Sequence, residues 1–178
     1  LKPRHHLPIS LGGTKEGDFS MVMGYPGGTD RYMTSYGVKE TKNIINPTRI
    51  KVREKKLEII EEAMKSSEKL ELKYASKYTG SSNYYKYSIG QNEGLKRLNV
   101  IEEREKLEDE FREWVDKRRS RREKYGETLS MIKEAYENRK PYYKTFLYMN
   151  EALFDGAEVI PLSSRMMGLY RVLKNYPD

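Results

Sequence analysis

The sequence predicts a mainly α protein, a bundle-like domain of about five to seven helices preceded by a β-hairpin. Three observations carry this. Apolar residues recur at steps of three, four and seven from Asn46 almost to the C-terminus, which places them on single helical faces. Charged residues make up 34% and hydrophobic ones 37% of the chain, a balance that suits helices with long solvated sides. Ahead of Asn46, apolar residues alternate with polar ones around a cluster of Pro and Gly, the pattern of short strands and a turn. A boundary is accordingly expected near residue 42, with 1–42 the hairpin segment and 43–178 the helical domain.

Across Leu7 to Glu40 the expected elements are strands. Ile9 and Leu11 flank Ser10, Phe19 to Gly24 forms one apolar run, and Arg31 to Val38 forms a second, rich in β-formers. Between them, Tyr25-Pro-Gly-Gly-Thr-Asp30 has Pro to preset one turn angle and glycines to permit positive φ. No helix start or Lys-Ser/Thr pair follows these glycines, so the segment reads as a turn and not as a phosphate cradle. A lone hairpin is marginal in water, so its partners must be the helices or strands outside this chain.

Asn46-Pro47 predicts a capped helix start with Pro at its first position, and Ile50, Leu57, Ile60 and Met64 then share one face to about Lys65. Ser66 and Ser67 restart a helix carrying Leu70, Tyr74 and Tyr78 at i+4 steps. Gly80 is expected to end it, Ser81, Ser82 or Asn83 to cap a short segment, and Gly90 to end that in turn. The result would be an aromatic elbow with five close tyrosines (Tyr74, Tyr78, Tyr84, Tyr85, Tyr87), the place where a binding site is expected. One long helix is expected from about Gln91 to Lys124, another from Glu127 to Lys140, and a further one opened by Pro141. Asp155-Gly156 breaks the chain, and Ser163 or Ser164 begins a last helix bearing Met166, Leu169 and Leu173.

Composition excludes several functions. Without cysteine there is no disulfide framework and no thiolate chemistry. The only histidines, His5 and His6, are adjacent, a spacing that does not build a zinc site, so no metal and no cofactor are expected. Nothing resembling Gly-x-Ser-x-Gly appears, and no base is placed to activate a Ser or Thr, so the chain alone is not expected to hydrolyse anything. No apolar run approaches the roughly 18 residues of a membrane span. The chain begins at Leu1 without a Met or a leader and is expected to be a piece of something longer. The net charge of +7 raises a nucleic-acid reading. The dense basic block Lys117–Lys124, however, follows an acidic stretch on the same expected helix, as the helix dipole favours, so a solvated helix end is preferred to a phosphate patch.

Taken together, Lys15 to Gly37 with its Gly24-Tyr-Pro-Gly27 core, Asn46-Pro47 with Arg49, Lys73-Tyr-Ala-Ser-Lys-Tyr-Thr-Gly-Ser-Ser-Asn-Tyr-Tyr-Lys86 and Gly94-Leu-Lys-Arg-Leu98 closely resemble the bacterial serine dipeptidyl-peptidases that include dipeptidyl-peptidases seven and eleven. The likeness spans at least Leu7 to Leu153. It implies a chymotrypsin-type double β-barrel with a large inserted helical domain, the hairpin opening the second barrel and Asn46 onward forming the insert. It implies removal of dipeptides from the free N-terminus of oligopeptides, in the periplasm or at the cell surface, by a homodimer. On this likeness the triad His and Asp would precede Leu1 and the Ser would follow Asp178. One functional position carries over: the Asn of the family's Ser-Asn-aromatic-aromatic segment, which helps hold the substrate's α-ammonium, matches Asn83. Tyr85 stands where Trp is frequent in that family. The alternative is a non-enzymatic helical module that binds acidic partners or nucleic acid through Lys117–Lys124.

Overall fold

The computed structural model describes residues 4–24 and 27–175. The chain divides into two units, Leu1–Arg31 and Tyr32–Asp178.

In the first unit no β-strand forms among the described residues, and Leu7, Ile9, Leu11, Phe19, Met21, Val22 and Met23 are all exposed. Its local fastenings include a turn in which the Lys15 amide donates to Asp18 Oδ2 at 2.7 Å and the Asp18 amide to Lys15 O at 3.1 Å, and a bond from the Gly12 amide to Ser10 Oγ at 3.3 Å. Within the expected turn Tyr25–Asp30, Tyr25 and Pro26 lie outside the described residues. The expected second strand, Arg31 to Val38, is corrected. Its latter half is helix α1, Ser35–Glu40. A strand needs a neighbour to receive its amides, whereas Ser35 has a better acceptor in the helical unit. Its N–H and Oγ donate to the two carboxylate oxygens of buried Glu108 at 2.6 and 2.8 Å, which satisfies and neutralises the start of the helix.

The second unit is helical throughout. After α1 come a π-helical turn π1 (Thr41–Ile45), α2 (Asn46–Ser66), α3 (Glu68–Arg97), α4 (Val100–Asp116), α5 (Arg119–Tyr125), α6 (Thr128–Tyr148), a second π-helical turn π2 (Met149–Phe154) and α7 (Val159–Asn175). Asn46 is not a helix cap. The helix is already running when it reaches Asn46, whose φ and ψ are helical, and the Asn46 amide reaches back five residues to Thr41 O. The wider π turn accommodates Pro47, which has no N–H to give and whose ring would press on the carbonyl of Asn43 in a regular α-helix.

Between α2 and α3 only Ser67 is non-helical, extended at φ −166° and ψ 133°. The restart at Glu68 is as expected, although the Ser67 side chain makes no capping bond. The two helices then pack as an antiparallel pair burying Leu57 and Ile60 of α2 and Ser81 and Ser88 of α3. Gly80 and Gly90 do not end helices, and the predicted elbow is absent: α3 runs unbroken through both. Each glycine costs about 1 kcal/mol against alanine in a helix interior, less than a long packed interface returns.

The expected helix Gln91–Lys124 breaks instead at two places. Asn99 adopts φ 48° and ψ 38°, a left-handed conformation that Asn tolerates, and Arg118 is extended at φ −142°. Conversely Pro141 opens no helix, lying inside α6 on an exposed stretch where water can take the carbonyl it leaves unpaired. Gly126 and Asp155-Gly156 do stop helices, as expected. The last helix starts at Val159, earlier than Ser163, with Pro161 in its first turn where no N–H is needed.

Few apolar side chains are fully buried: Val38, Leu57, Ile60, Val115 and Leu147. Polar links join the helices instead. Glu40 of α1 pairs with Arg139 of α6, Lys39 of α1 with Glu105 of α4, and Glu151 of π2 with Arg49 and Arg53 of α2. Asn46, wholly buried, donates from Nδ2 to Gln91 Oε1 at 2.9 Å and Asn92 Oδ1 at 2.8 Å of α3. No helix among the described residues is long and apolar enough to cross a membrane.

Candidate functional site

Asn83 lies in the middle of α3 and is exposed. On a helix of 3.6 residues per turn, the residues three before, four after and seven after it share its face. These are Gly80, Tyr87 and Gly90, all exposed. A Cβ added at Gly80 or Gly90 would meet nothing within 4 Å, so the glycines fill no packing need inside the unit. They leave the backbone on either side of Asn83 bare, open to hydrogen bonding at close approach.

The face of α3 that carries Ser81 and Ser88 is packed on α2. Tyr84, about 100° round the helix from Asn83 and half exposed, has the guanidinium of Arg53 over its ring at 4.9 Å from the centroid and that of Arg49 at 5.7 Å. Arg49 and Arg53 are one helical turn apart, so both can address the same ring. Both are in turn held by one carboxylate: Arg49 Nε donates to Glu151 Oε1 at 2.9 Å and Arg53 Nε to Glu151 Oε2 at 2.7 Å. The Glu151 side chain is only 8% exposed, and its charge is matched inside the cluster. Next along α3, Tyr85 OH contacts Glu54 Oε1 at 3.5 Å, and Gln91 Nε2 donates to Tyr87 OH at 2.9 Å.

Of the five tyrosines, Tyr74, Tyr78 and Tyr85 are half-buried, while Tyr84 and Tyr87 are exposed. They are spread along a straight helix and do not gather around a bend. His5 and His6 are exposed. Arg53, Glu54 and Glu151 were not legible as site residues. The i, i+4 spacing of Arg49 and Arg53 was a signal that they share a face, but Glu151 lies about a hundred residues on, with nothing local to connect it.

The basic block Lys117–Lys124 is largely engaged within its own neighbourhood. Arg121 stacks over Trp114 at 4.0 Å and donates to Trp114 O, Arg122 donates to Asp116 O at 3.0 Å, and Arg119 pairs with Glu123 at 2.8 Å. These arginines complete the C-terminal carbonyls of α4, which is where the helix dipole favours cations. Elsewhere, hydrogen bonding to Glu105 holds the Lys39 ammonium above its ordinary pKa, and hydrogen bonding to Glu40 does the same for Arg139.

The helical unit thus presents the Asn83 amide side chain on a helix face flanked by glycines. Comparison with known proteins places the whole chain in a family. The chain is 40% identical over 171 residues to dipeptidyl-peptidase 7 of Porphyromonas endodontalis, covering 96% of this chain and 21% of that protein. It is 41% identical over 159 residues to dipeptidyl-peptidase 7 of Porphyromonas gingivalis, covering 89% of this chain and 22% of that protein. To the Asp/Glu-specific dipeptidyl-peptidase of Flavobacterium psychrophilum it is 36% identical over 170 residues, covering 96% and 24%. The chain thus spans about a fifth to a quarter of the length of the relatives it matches. The family model for peptidase S46 matches residues 1–177, and the chain belongs to that family.

Proposed function

We propose that this chain is part of a serine-type dipeptidyl-peptidase that releases dipeptides from the free N-terminus of oligopeptides, and that its helical unit caps the cleft. In this reading Asn83 accepts a hydrogen bond from the substrate's α-ammonium through its amide oxygen. The carrying observation is the placement of Asn83, exposed on a face of α3 whose neighbours Gly80 and Gly90 leave room for a second backbone. A hydrogen bond to a charged group contributes about 1.5 to 3 kcal/mol, a factor of roughly ten to a hundred in affinity. Relatives named for Asp/Glu specificity and relatives named dipeptidyl-peptidase 7 match at similar identity. The proposal is therefore one of dipeptide release, whatever the side-chain preference.

The catalytic Ser, His and Asp are proposed to lie elsewhere in the longer protein, leaving this segment inactive by itself. The apolar residues between Leu7 and Met23 support a further proposal: the first unit takes up strand structure only when the remaining strands of a β-barrel pair with it. A homodimer in the periplasm or at the cell surface is proposed on the family likeness. The alternative, an interaction module acting through Lys117–Lys124, is less well supported because its arginines are engaged with Trp114, Asp116 and Glu123.

The test is product analysis of a ten-residue peptide incubated with the full-length protein. Successive N-terminal dipeptides, and none from an N-acetylated copy, are expected. Single amino acids, internal fragments or cleavage of the acetylated peptide would overturn the proposal.

A further inference from the structure

We propose that the cluster around Tyr84, with Arg49 and Arg53 against its ring and Glu151 locking both, is the positioning device that aims Asn83 at the substrate's amine. The inference rests on the role given to Asn83 above and assigns it a mechanical support.

Local sequence does not hold Asn83 in place. Gly80, Ser81, Ser82 and Asn83 are four successive residues of middling to poor helix propensity, and Gly90 follows one turn beyond Tyr87. Left alone, this stretch would fray. What keeps it helical must come from across the α2–α3 interface; Asn46 holds Gln91 and Asn92 about two turns on, and beside Asn83 itself the cationic contact from α2 falls on the next residue, Tyr84. Ser81 and Ser88 also face α2, but their buried hydroxyls make no hydrogen bond. They allow approach without fixing direction. Tyr84 is different. Its ring meets two flat cations, and those cations cannot swing away, because each gives its Nε–H to a separate oxygen of a carboxylate 8% exposed to solvent. Arg53, the nearer of the two, has a side chain only 13% exposed.

Fixing one side chain on a helix fixes the phase of its neighbours. Successive residues are about 100° apart, so the rotation of α3 that seats Tyr84 on the arginines also sets the bearing of Asn83. A 20° rotation about the axis would carry the tip of a side chain about 6 Å from that axis through roughly 2 Å, enough to break a hydrogen bond whose useful range is a few tenths of an ångström. Glu151 sits on π2, so the clamp also ties the direction of Asn83 to a segment of chain about seventy residues away. Lys cannot replace Arg here, because the stacking and the fixed Nε–H direction both need a planar guanidinium.

The experiment is a double-mutant cycle in the full-length peptidase, read as kcat and KM for a fluorogenic dipeptidyl substrate with a free amine. Tyr84→Leu removes the ring face. It is expected to lower kcat/KM about five- to tenfold in the wild-type background, chiefly through KM, and to have less than about a twofold effect when Asn83 is already Ala. Tyr84→Phe, which keeps the ring, is expected to recover most of the loss. Should Tyr84→Leu fail to fold, Arg53→Lys enters the same cycle, since it keeps the charge beside Glu151 and removes only the planar contact. Equal losses in both backgrounds would show a merely structural role and overturn the proposal, as would no loss in either. If Asn83→Ala alone leaves kcat/KM unchanged, the assignment of Asn83 fails first and the clamp with it, an outcome distinct from a clamp that fails while Asn83 matters.

Discussion

Gly80 separates two conformations of the same segment, and alanine at that position tells them apart. In α3 the residue is mid-helix without positive φ, and a Cβ there would meet no atom within 4 Å. Gly80→Ala should therefore gain the helix-propensity difference with nothing to offset it, about 0.8 to 1 kcal/mol. For a unit of this size that is a rise in Tm of roughly 2 to 4 °C. With a urea m-value of about 1 to 3 kcal/mol/M, the unfolding midpoint should move up by roughly 0.3 to 1 M. The assay is urea unfolding followed by far-ultraviolet circular dichroism, wild type beside Gly80→Ala, Gly90→Ala and the double variant. Ten residues of helix separate the two sites by about 15 Å, so their effects should add to about 2 kcal/mol. A loss of about 1 kcal/mol for Gly80→Ala would refute the continuous helix. It is the result expected if Gly80 closed a helix in the left-handed conformation, where a Cβ is strained.

Other perturbations follow from the polar links. Glu151→Ala removes the carboxylate that two half-buried guanidinium groups share and should cost about 1.5 to 3 kcal/mol in the same unfolding assay. Asn46→Ala removes the donor to Gln91 and Asn92 and should cost about 1 to 3 kcal/mol, with faster hydrogen exchange at the amides around both partners. Lys39, whose pKa is raised above 10.5 by its bond to Glu105, supports the fold fully below that value and loses its contribution as pH rises past it. The stability difference between wild type and Lys39→Met should accordingly shrink above about pH 10.5 and stay constant between pH 6 and 9; its side chain is 43% exposed, so the difference is expected to be small throughout.

The helical class and the apolar face of α2 were legible because periodicity survives whatever the rest of the fold does: Leu57 and Ile60 are buried as a helical register requires, whereas Met166, Leu169 and Leu173, expected on the face of the last helix, are exposed. Breakpoints were less legible, for a consistent reason. Gly80, Gly90, Asn46-Pro47 and Pro141 all carry strong local signals, yet the helix packing of α3, the π turn before Pro47 and, at Pro141, access of water to the freed carbonyl each meet a local cost of a few kcal/mol or less. Asn99, inside the single helix expected from Gln91 to Lys124, made a real break. The strand expected at Ser35 to Val38 was lost to Glu108, a partner 73 residues away that no window along the chain could reveal. Asn83 was singled out by the family resemblance and as a possible cap after a bend at Gly80; the cap is not there, since α3 runs through it, and the cluster beside it depends on Glu151 and could be seen only once π2 was placed against α2.

The measurement that bears most directly on the role of this chain is kcat/KM of the full-length peptidase for a free-amine dipeptidyl substrate, wild type against Asn83→Ala. A fall of roughly tenfold or more is expected, the low end of what one hydrogen bond to a charged group contributes, with N-acetylated substrate inert for both. An unchanged kcat/KM in a folded Asn83→Ala variant would contradict the assignment and leave Asn83 as an ordinary exposed residue of α3.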